Sequence, residues 1–247
     1  MEASPTNSPF PPTRWTAIAN VRQMADSRLA RQALAELCRD YWYPLYAFAR
    51  RTGRGVHDAQ DLTQGFFGEI LGNHLFAAAD QEKGRLRTFL LTAFRRYIGG
   101  VRDKEQALKR GGGQEHFSLD LAEGEERYVR EPADHLTPEM LYERSWALTV
   151  LKGALGDLAG EEARAGRGEQ CAALEGFLSP ESAGAGDYAA ASATLKMTEE
   201  AVRKTVSRMR KKFRGCLRRQ IADTLRSPSE RQIDDELTAL GAALSHQ

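Results

Sequence analysis

The sequence is poor in β-strand patterns and in long apolar runs. No stretch alternates apolar and polar residues with the β-branched side chains that strands favour, and none approaches the ~20 consecutive apolar residues that span a bilayer. The first residues, MEASPTNSPFPPTRW, lack the basic start and the apolar segment of a secretory signal. We therefore expect an all-α protein that works in the cytoplasm and has no membrane partner.

Cysteine is also scarce, with three residues in a chain of 247, and the five histidines show no ligand spacing. We interpret the cysteines as small buried side chains in a reducing compartment rather than as disulfide or metal ligands. The sequence has no glycine-rich phosphate loop and suggests no Ser/His/Asp or Cys/His set. We therefore expect a non-enzymatic protein with no catalytic residues, no metal and no cofactor.

Charge is almost balanced overall, at a net +1, but it is unevenly distributed. Residues 85–110 hold eight Lys or Arg against two acids, and residues 196–219 hold ten against two. Between them, residues 115–143 hold nine acids against two Arg. Two basic segments joined by an acidic one indicate two surfaces for a polyanion, because a uniformly solvated surface would mix the charges.

Helical periodicity dominates the first half of the chain, with apolar side chains at three- and four-residue steps. It predicts helices within 26–53, 57–73 and 85–110. Pro44 either divides or kinks the first of these helices, and Gly53 is expected to end it.

The acidic residues 111–136 begin with three glycines and carry no apolar stripe, so we expect a flexible, extended linker. A second helical unit is predicted after it, over 137–226, in which Thr137 caps a helix that has Pro138 at its first position. The tail, 227–247, has the pattern of one more amphipathic helix.

A helix-turn-helix pattern lies in the second unit. The small-residue helix YAAASATL is followed by a tight turn near Lys196 and by a long basic helix with Thr198 as its cap. One apolar stripe of the long helix is expected to face the core: Val202, Val206, Met209, Phe213 and Leu217. The polar face suits base edges and phosphates in the major groove of DNA: Arg203, Lys204, Ser207, Arg208 and Lys211. A plain solvated helix and a membrane-surface helix are the alternatives, and the preceding turn favours DNA binding over both.

The other basic segment interleaves Arg and Lys with Phe89, Phe94 and Tyr97. Cationic and aromatic side chains beside a loop suit melted DNA, where unstacked bases meet aromatic rings. The alternative is that the aromatic residues belong to the core. We expect Phe89 and Phe94 to belong to the core, whereas the pattern does not decide between a core role and a DNA-binding role for Tyr97.

Two stretches resemble bacterial RNA polymerase sigma factors. The segment YWYPLYAFARRTGRGVHDAQDLTQGFFGEIL, followed by FAAADQEKGRLRTFLLTAFRRYI, resembles the second domain of that family, and DYAAASATLKMTEEAVRKTVSRMRKKF resembles the fourth. A chain with only these two domains is similar to the extracytoplasmic-function (group four) class. The resemblance covers about residues 28–110 and 140–220.

The resemblance implies a division of the chain and a function. The division is a disordered lead at 1–25, a second-domain-like bundle at 26–110, the acidic linker at 111–136, a fourth-domain-like helix-turn-helix at 137–226 and a tail at 227–247. The first bundle would bind core RNA polymerase and melt the minus-ten element, and the second would read the minus-thirty-five element, so that polymerase is directed to specific promoters. Core polymerase and promoter DNA are the implied partners, and the family leaves room for an anti-sigma factor.

The resemblance also assigns roles to residues. The implied contacts with core polymerase are Asp61, Leu62, Gln64 and Phe66. The loop from Phe76 to Gly84 would capture a flipped base, and the adjacent strand would be held by Arg85, Arg87, Arg95 and Arg96. The sequence departs from the family pattern at Gly65, Phe89, Arg96 and Lys196. Lys196 stands where the turn of the family has glycine, so we expect it to have a positive φ that strains the turn. The runner-up is a helix-turn-helix transcriptional regulator that acts without core polymerase, a role in which the Asp61-Leu62-x-Gln64 motif would have no use.

Overall fold

Helices make up nearly all of what the computed structural model describes, namely residues 28–72, 85–107, 121–130, 135–178, 187–225 and 228–245. The first five helices are α1 (Arg28–Arg51), α2 (Val56–Gly72), α3 (Leu86–Ala107), α4 (Leu121–Arg130) and α5 (Pro138–Arg164). The next elements are α6 (Gly168–Leu174), a 3₁₀ helix (Glu175–Leu178), α7 (Tyr188–Leu195), α8 (Glu199–Asp223) and α9 (Glu230–Ser245). Those ranges contain no strand beyond an isolated bridge between Arg85 and Leu225, so the all-α prediction is confirmed.

The described residues form two compact units. The first contains α1 to α4, α5 as far as Leu148, and the chain from Ala222 onward, which includes α9; the second is Thr149–Ile221. These limits differ from the predicted domains at 26–110 and 137–226. The reason is that the start of α5 and the tail helix α9 pack within the first unit.

Aromatic side chains fill the core between α1, α2 and α3. Phe66 is fully buried, and its ring centroid lies 5.0 Å from that of Phe94 and 5.7 Å from that of Tyr97. Phe48 of α1 completes the group, with its ring centroid 6.2 Å from that of Phe94. Phe94 is therefore core, as predicted, whereas Phe89 and Tyr97 are half-buried.

Helix α1 continues through Pro44 without interruption, which excludes the alternative in which the proline divides it. Its end is as predicted. Gly53 has a φ of +90°, and the backbone N–H of Arg54 donates to the carbonyl of Ala49 at 3.3 Å. A left-handed residue followed by such a bond closes a helix, and glycine adopts that conformation without a steric penalty.

The predicted extended linker contains a helix, α4, that packs on α1. Glu125 accepts hydrogen bonds from Arg50, at 2.9 and 3.1 Å, and from the hydroxyl of Tyr46. Gly124 lies so close to the Trp42 ring that a Cβ at this position would come within 2.5 Å of it. Burial opposes the ionisation of Glu125, but the hydrogen bonds from Arg50 and Tyr46 outweigh it and lower the pKa of this carboxyl. The expectation of an extended linker is therefore wrong over α4, because the contacts of Glu125 with Arg50 and of Gly124 with Trp42 hold this segment on α1 as a helix.

The core of the second unit is built around the apolar stripe of α8. Val202, Val206 and Met209 are buried, as predicted, whereas Phe213 and Leu217 are half-buried. Cys216 of α8 is also buried in this core, and the earlier helices supply the remaining buried side chains: Ala154, Leu158, Cys171, Leu174, Phe177, Leu178 and Ala191. This packing uses one side of α8 and leaves its opposite side to solvent.

All three cysteines are free and buried, which confirms their interpretation as small core side chains. Burial raises the pKa of the Cys38 thiol to about 11 and also raises the pKa of Cys171 and of Cys216. The thiols are therefore protonated at neutral pH.

A buried carboxylate joins α5 to the basic helix α8 within the second unit. Glu162, which is 4% exposed, accepts a hydrogen bond from Arg167 at 2.6 Å and another from Lys212. These two hydrogen bonds, with that from Arg167 the stronger influence, lower the pKa of Glu162 from 4.5 to about 2. Its negative charge therefore stabilises the folded state wherever the pH exceeds the value at which the unfolded chain would protonate it.

We expect the stability of the protein to fall as the pH drops from 4.5 towards 2, because Glu162 has a lower pKa in the folded than in the unfolded chain. The contribution of this carboxylate is complete above pH 4.5 and is lost through that window. Glu162→Gln should lower the free energy of unfolding at pH 7 by about 1–3 kcal/mol and should flatten the decline. Urea unfolding followed by circular dichroism at several pH values measures both effects. Glu169→Gln, which alters an exposed carboxylate of α6, is the control, and equal losses in the two variants would contradict the assignment.

Candidate nucleic-acid interface

The turn of the helix-turn-helix is formed by a left-handed residue, Lys196. Its φ of 52° and ψ of 42° place it in the αL region, and it is the only non-glycine residue with a positive φ in the described part of the chain. The N–H of Met197 donates to the carbonyl of Ser192 at 3.1 Å, and the N–H of Lys196 donates to that of Ala193 at 3.4 Å. This pair of bonds is a Schellman motif, which ends α7. The predicted positive φ at Lys196 is confirmed.

Helix α8 begins with a cap directly after this turn. The N–H of Ala201 donates to the hydroxyl of Thr198 at 3.2 Å, as the predicted cap requires. Glu199 and Glu200 occupy the first turn, where the helix dipole favours carboxylates. Turn and cap together fix the direction in which α8 leaves α7.

The side chains of α8 that were predicted to contact DNA all lie on its exposed side: Arg203, Lys204, Ser207, Arg208 and Lys211. Two of them have acidic neighbours one turn earlier, since Arg203 lies 3.4 Å from Glu199 and Lys204 lies 2.7 Å from Glu200. Exposed pairs at this spacing contribute only about 0.3–0.5 kcal/mol. A phosphate can therefore replace either glutamate at little cost.

A basic cavity of about 290 Å³ runs along α8 beside the start of α7. It is lined by Tyr188, Arg203, Val206, Ser207, Arg210, Lys211 and Arg214. The guanidinium of Arg203 lies 4.2 Å from the ring centroid of Tyr188, and Arg210 donates to the carbonyl of Phe177 at 3.0 and 3.2 Å. Each contact restrains a cation, by cation–π attraction in one case and by hydrogen bonding in the other. The chemistry of the cavity suits a phosphate group.

Four residues of this cavity were absent from the predicted site: Val206, which was predicted for the core, and Tyr188, Arg210 and Arg214. A signal for the two arginines exists in the sequence, because positions 203, 207, 210 and 214 recur at steps of four, three and four and share one face of α8. No such signal identifies Tyr188, because it lies on a different helix, α7. Its ring contacts Arg203 of α8 only because the turn folds the two helices together.

The basic side chains at the start of α3 are engaged within the first unit. Arg87 is 7% exposed, donates to Glu236 at 3.0 and 3.2 Å, and also donates to Glu143. Arg85 lies 2.8 Å from Glu236. The predicted contact between Arg87 and a DNA strand does not fit this arrangement, because the guanidinium is buried and its charge is matched by carboxylates.

Arg95 and Arg96 lie further along α3, and both are exposed. Arg95 pairs with Glu139 and lies 5.3 Å from the ring centroid of Phe48. Their contact with a melted strand stays a prediction. The loop from Phe76 to Gly84, predicted to capture a base, lies outside the described residues.

Helix α2 presents only part of its predicted surface for polymerase. Asp61 is exposed and Gln64 is half-buried, but Leu62 is 7% exposed and Phe66 is fully buried. Leu62 and Phe66 share an inward stripe with Ala59 and so serve the core of the first unit rather than a partner. The accessible part of the motif is therefore polar.

Comparison of the chain with models of protein families, with curated proteins and with solved structures finds no match. Among the described residues, no helix is long and apolar enough to cross a membrane. The same ranges hold no group of three or more His, Cys, Asp or Glu side chains that could bind a metal ion. The resemblance to sigma factors thus rests on the sequence motifs alone.

Lys196→Gly should raise the free energy of unfolding by up to about 1 kcal/mol. The left-handed conformation destabilises the folded state by about 1–2 kcal/mol when the residue has a Cβ. Glycine removes this strain, but it also increases the conformational entropy of the unfolded chain, which offsets part of the gain. Lys196→Ala retains the Cβ and should give no gain. Urea unfolding of the wild type and the two variants makes the comparison, and an alanine variant as stable as the glycine variant would show that the turn is unstrained.

Proposed function

We propose that this protein is a bacterial RNA polymerase sigma factor of the extracytoplasmic-function class, which binds core polymerase and directs it to specific promoters. The observation that carries the proposal is the helix-turn-helix, in which a left-handed turn at Lys196 is followed by a helix with its apolar stripe packed and its basic face exposed. This geometry supports DNA binding. The two sequence motifs that resemble sigma factors supply the link to polymerase.

In this proposal, α8 reads the minus-thirty-five element from the major groove. Arg203 and Arg208 can each donate two parallel hydrogen bonds to guanine, and Ser207 can contact several bases. Lys204 and Lys211 suit phosphates, which add salt-dependent affinity without sequence information.

The cavity beside α7 would hold one further backbone phosphate. Arg210 and Arg214 line it together with Arg203, whose guanidinium is held against Tyr188. A cation that is already restrained loses less side-chain entropy when it binds an anion. The cavity would therefore fix the register of α8 on the duplex.

Helix α2 would bind core polymerase through its exposed polar side chains. Asp61 offers a carboxylate to a cationic partner, and Gln64 offers an amide. Because Leu62 and Phe66 belong to the core, this contact would be more polar than the sequence motif suggests.

Helix α3 would meet the melted minus-ten element. Arg95 and Arg96 are placed on its exposed side and can follow a strand by its phosphates. Arg85 would join them only after release from Glu236, and Arg87 only after release from both Glu236 and Glu143.

A second candidate, a helix-turn-helix regulator that acts on DNA without polymerase, is favoured by one observation. The burial of Leu62 and Phe66 removes the apolar part of the implied polymerase contact. Such a regulator would use α8 in the same way and would have no need of Asp61.

The two candidates differ in a transcription assay with purified protein, core polymerase and a promoter library. The sigma-factor proposal predicts specific run-off transcripts that Asp61→Ala reduces at least tenfold, since the exposed carboxylate would contact the polymerase. Asp58→Ala is the matched control, because this exposed carboxylate lies one turn earlier on α2, and it should retain activity. Tight binding to duplex DNA without polymerase, together with no transcripts from any promoter, would refute the proposal in favour of the regulator.

A further inference from the structure

The carboxylate of Glu236, in the tail helix α9, binds two arginine residues at the start of α3, namely Arg87 and the preceding Arg85. The Nε of Arg87 lies 3.0 Å from one oxygen of Glu236, and its Nη2 lies 3.2 Å from the other, which is a bidentate contact. Arg85 contacts the same carboxylate at 2.8 Å. Glu236 is 1% exposed, so both cations share a partner that is withdrawn from solvent.

The surrounding contacts seat α9 over this part of the first unit. Ile233, Leu240 and Ala243 of α9 are buried beside Glu236 in the helix sequence. The guanidinium of Arg87 lies 4.4 Å from the ring centroid of Trp146. Helix α9 is thus held on the first unit both by buried apolar side chains and by the ion pairs of Glu236.

The same guanidinium groups are those that a DNA phosphate would use. A bidentate contact between arginine and a carboxylate has the donor geometry that arginine offers to phosphate. Arg87 lies on the same helix as the exposed Arg95 and Arg96, about two turns earlier, and Arg85 immediately precedes that helix. A strand that followed α3 along its phosphates would therefore reach the groups that Glu236 now holds.

We propose that α9 is an intramolecular competitor of single-stranded nucleic acid, in which Glu236 takes the place of a strand phosphate on Arg85 and Arg87. The inference rests on the proposed function of α3 and adds the regulation of that site. Two ligands that need the same groups exclude each other, so strand binding and the docking of α9 weaken each other by the same factor. In the free chain α9 suppresses binding to single strands, and a strand presented by the polymerase complex displaces it.

The test is the affinity of the full chain for a fluorescently labelled single-stranded oligonucleotide, measured by anisotropy. Glu236→Gln should bind the strand several-fold more tightly than the wild type, because a neutral amide holds the two arginines less firmly. Asp235→Asn removes one charge from the exposed neighbouring position of α9 and should leave the affinity within twofold of the wild type. The gain should vanish when Arg85→Gln is added to Glu236→Gln. A folded Glu236→Gln protein with the affinity of the wild type would overturn the inference.

Hydrogen exchange of the wild-type chain gives an answer even where Glu236→Gln fails to fold. Saturation with the oligonucleotide should raise the exchange rate of the α9 amides severalfold, and unchanged protection of α9 in the complex would overturn the inference. Arg96→Gln distinguishes a failure of the competition by α9 from a failure of the proposed role of α3. If it weakens strand binding while Glu236→Gln has no effect, α3 binds DNA and only the competition by α9 is wrong. If Arg96→Gln leaves strand binding unaltered in every background, the proposed role of α3 fails, and the inference fails with it.

Discussion

The charge cluster around Arg87 determines how the first unit is assembled. Arg87 comes from α3, Glu143 from the start of α5 and Glu236 from α9, and the pair of Arg87 and Glu236 spans 149 positions of the chain. Removing one partner from a buried ion pair costs about 3–5 kcal/mol, because the remaining charge stays buried without compensation. Burial raises the pKa of Glu143 even though Arg87 favours its charged form. The tail helix and the start of α5 are thus integral to the first unit.

The two basic segments consequently differ in what they offer to a polyanion. The start of α3 is matched by carboxylates from distant helices, one of which is almost fully buried. In α8, the acidic partners of Arg203 and Lys204 come from the first turn of the same helix and are themselves exposed. Pairs of the second kind are weak and are screened by salt. The free chain therefore leaves the basic face of α8 open to a polyanion and keeps part of α3 covered.

Sequence patterns predicted the features that depend on local geometry. The stripe of Val202, Val206 and Met209, the cap at Thr198 and the positive φ at Lys196 were all correct. Each of these depends on residues within about two turns of one another, a range over which periodicity and capping rules apply.

The features that the sequence did not reveal depend on polar partners far along the chain. Helix α4 has only ten residues and is held on α1 by the hydrogen bonds between Glu125 and Arg50, so a search for long apolar stripes passes over it. Likewise, nothing near Arg87 indicates that its partner is Glu236. Leu62 and Phe66 were predicted to contact a partner because of the motif that contains them, although their own periodicity places them in the core. Charge reveals that a residue needs a partner, but only the fold decides which partner it meets.

The claim that the exposed face of α8 is the nucleic-acid surface of the free chain is tested most directly by the salt dependence of duplex binding. The wild type should lose affinity steeply as salt rises, because each phosphate contact releases a counterion. Lys211→Ala should reduce the slope of log affinity against log salt by about 0.9, whereas Lys152→Ala, which alters an exposed lysine of α5 in the same unit, should leave it unchanged. Identical slopes for all three proteins would contradict the account.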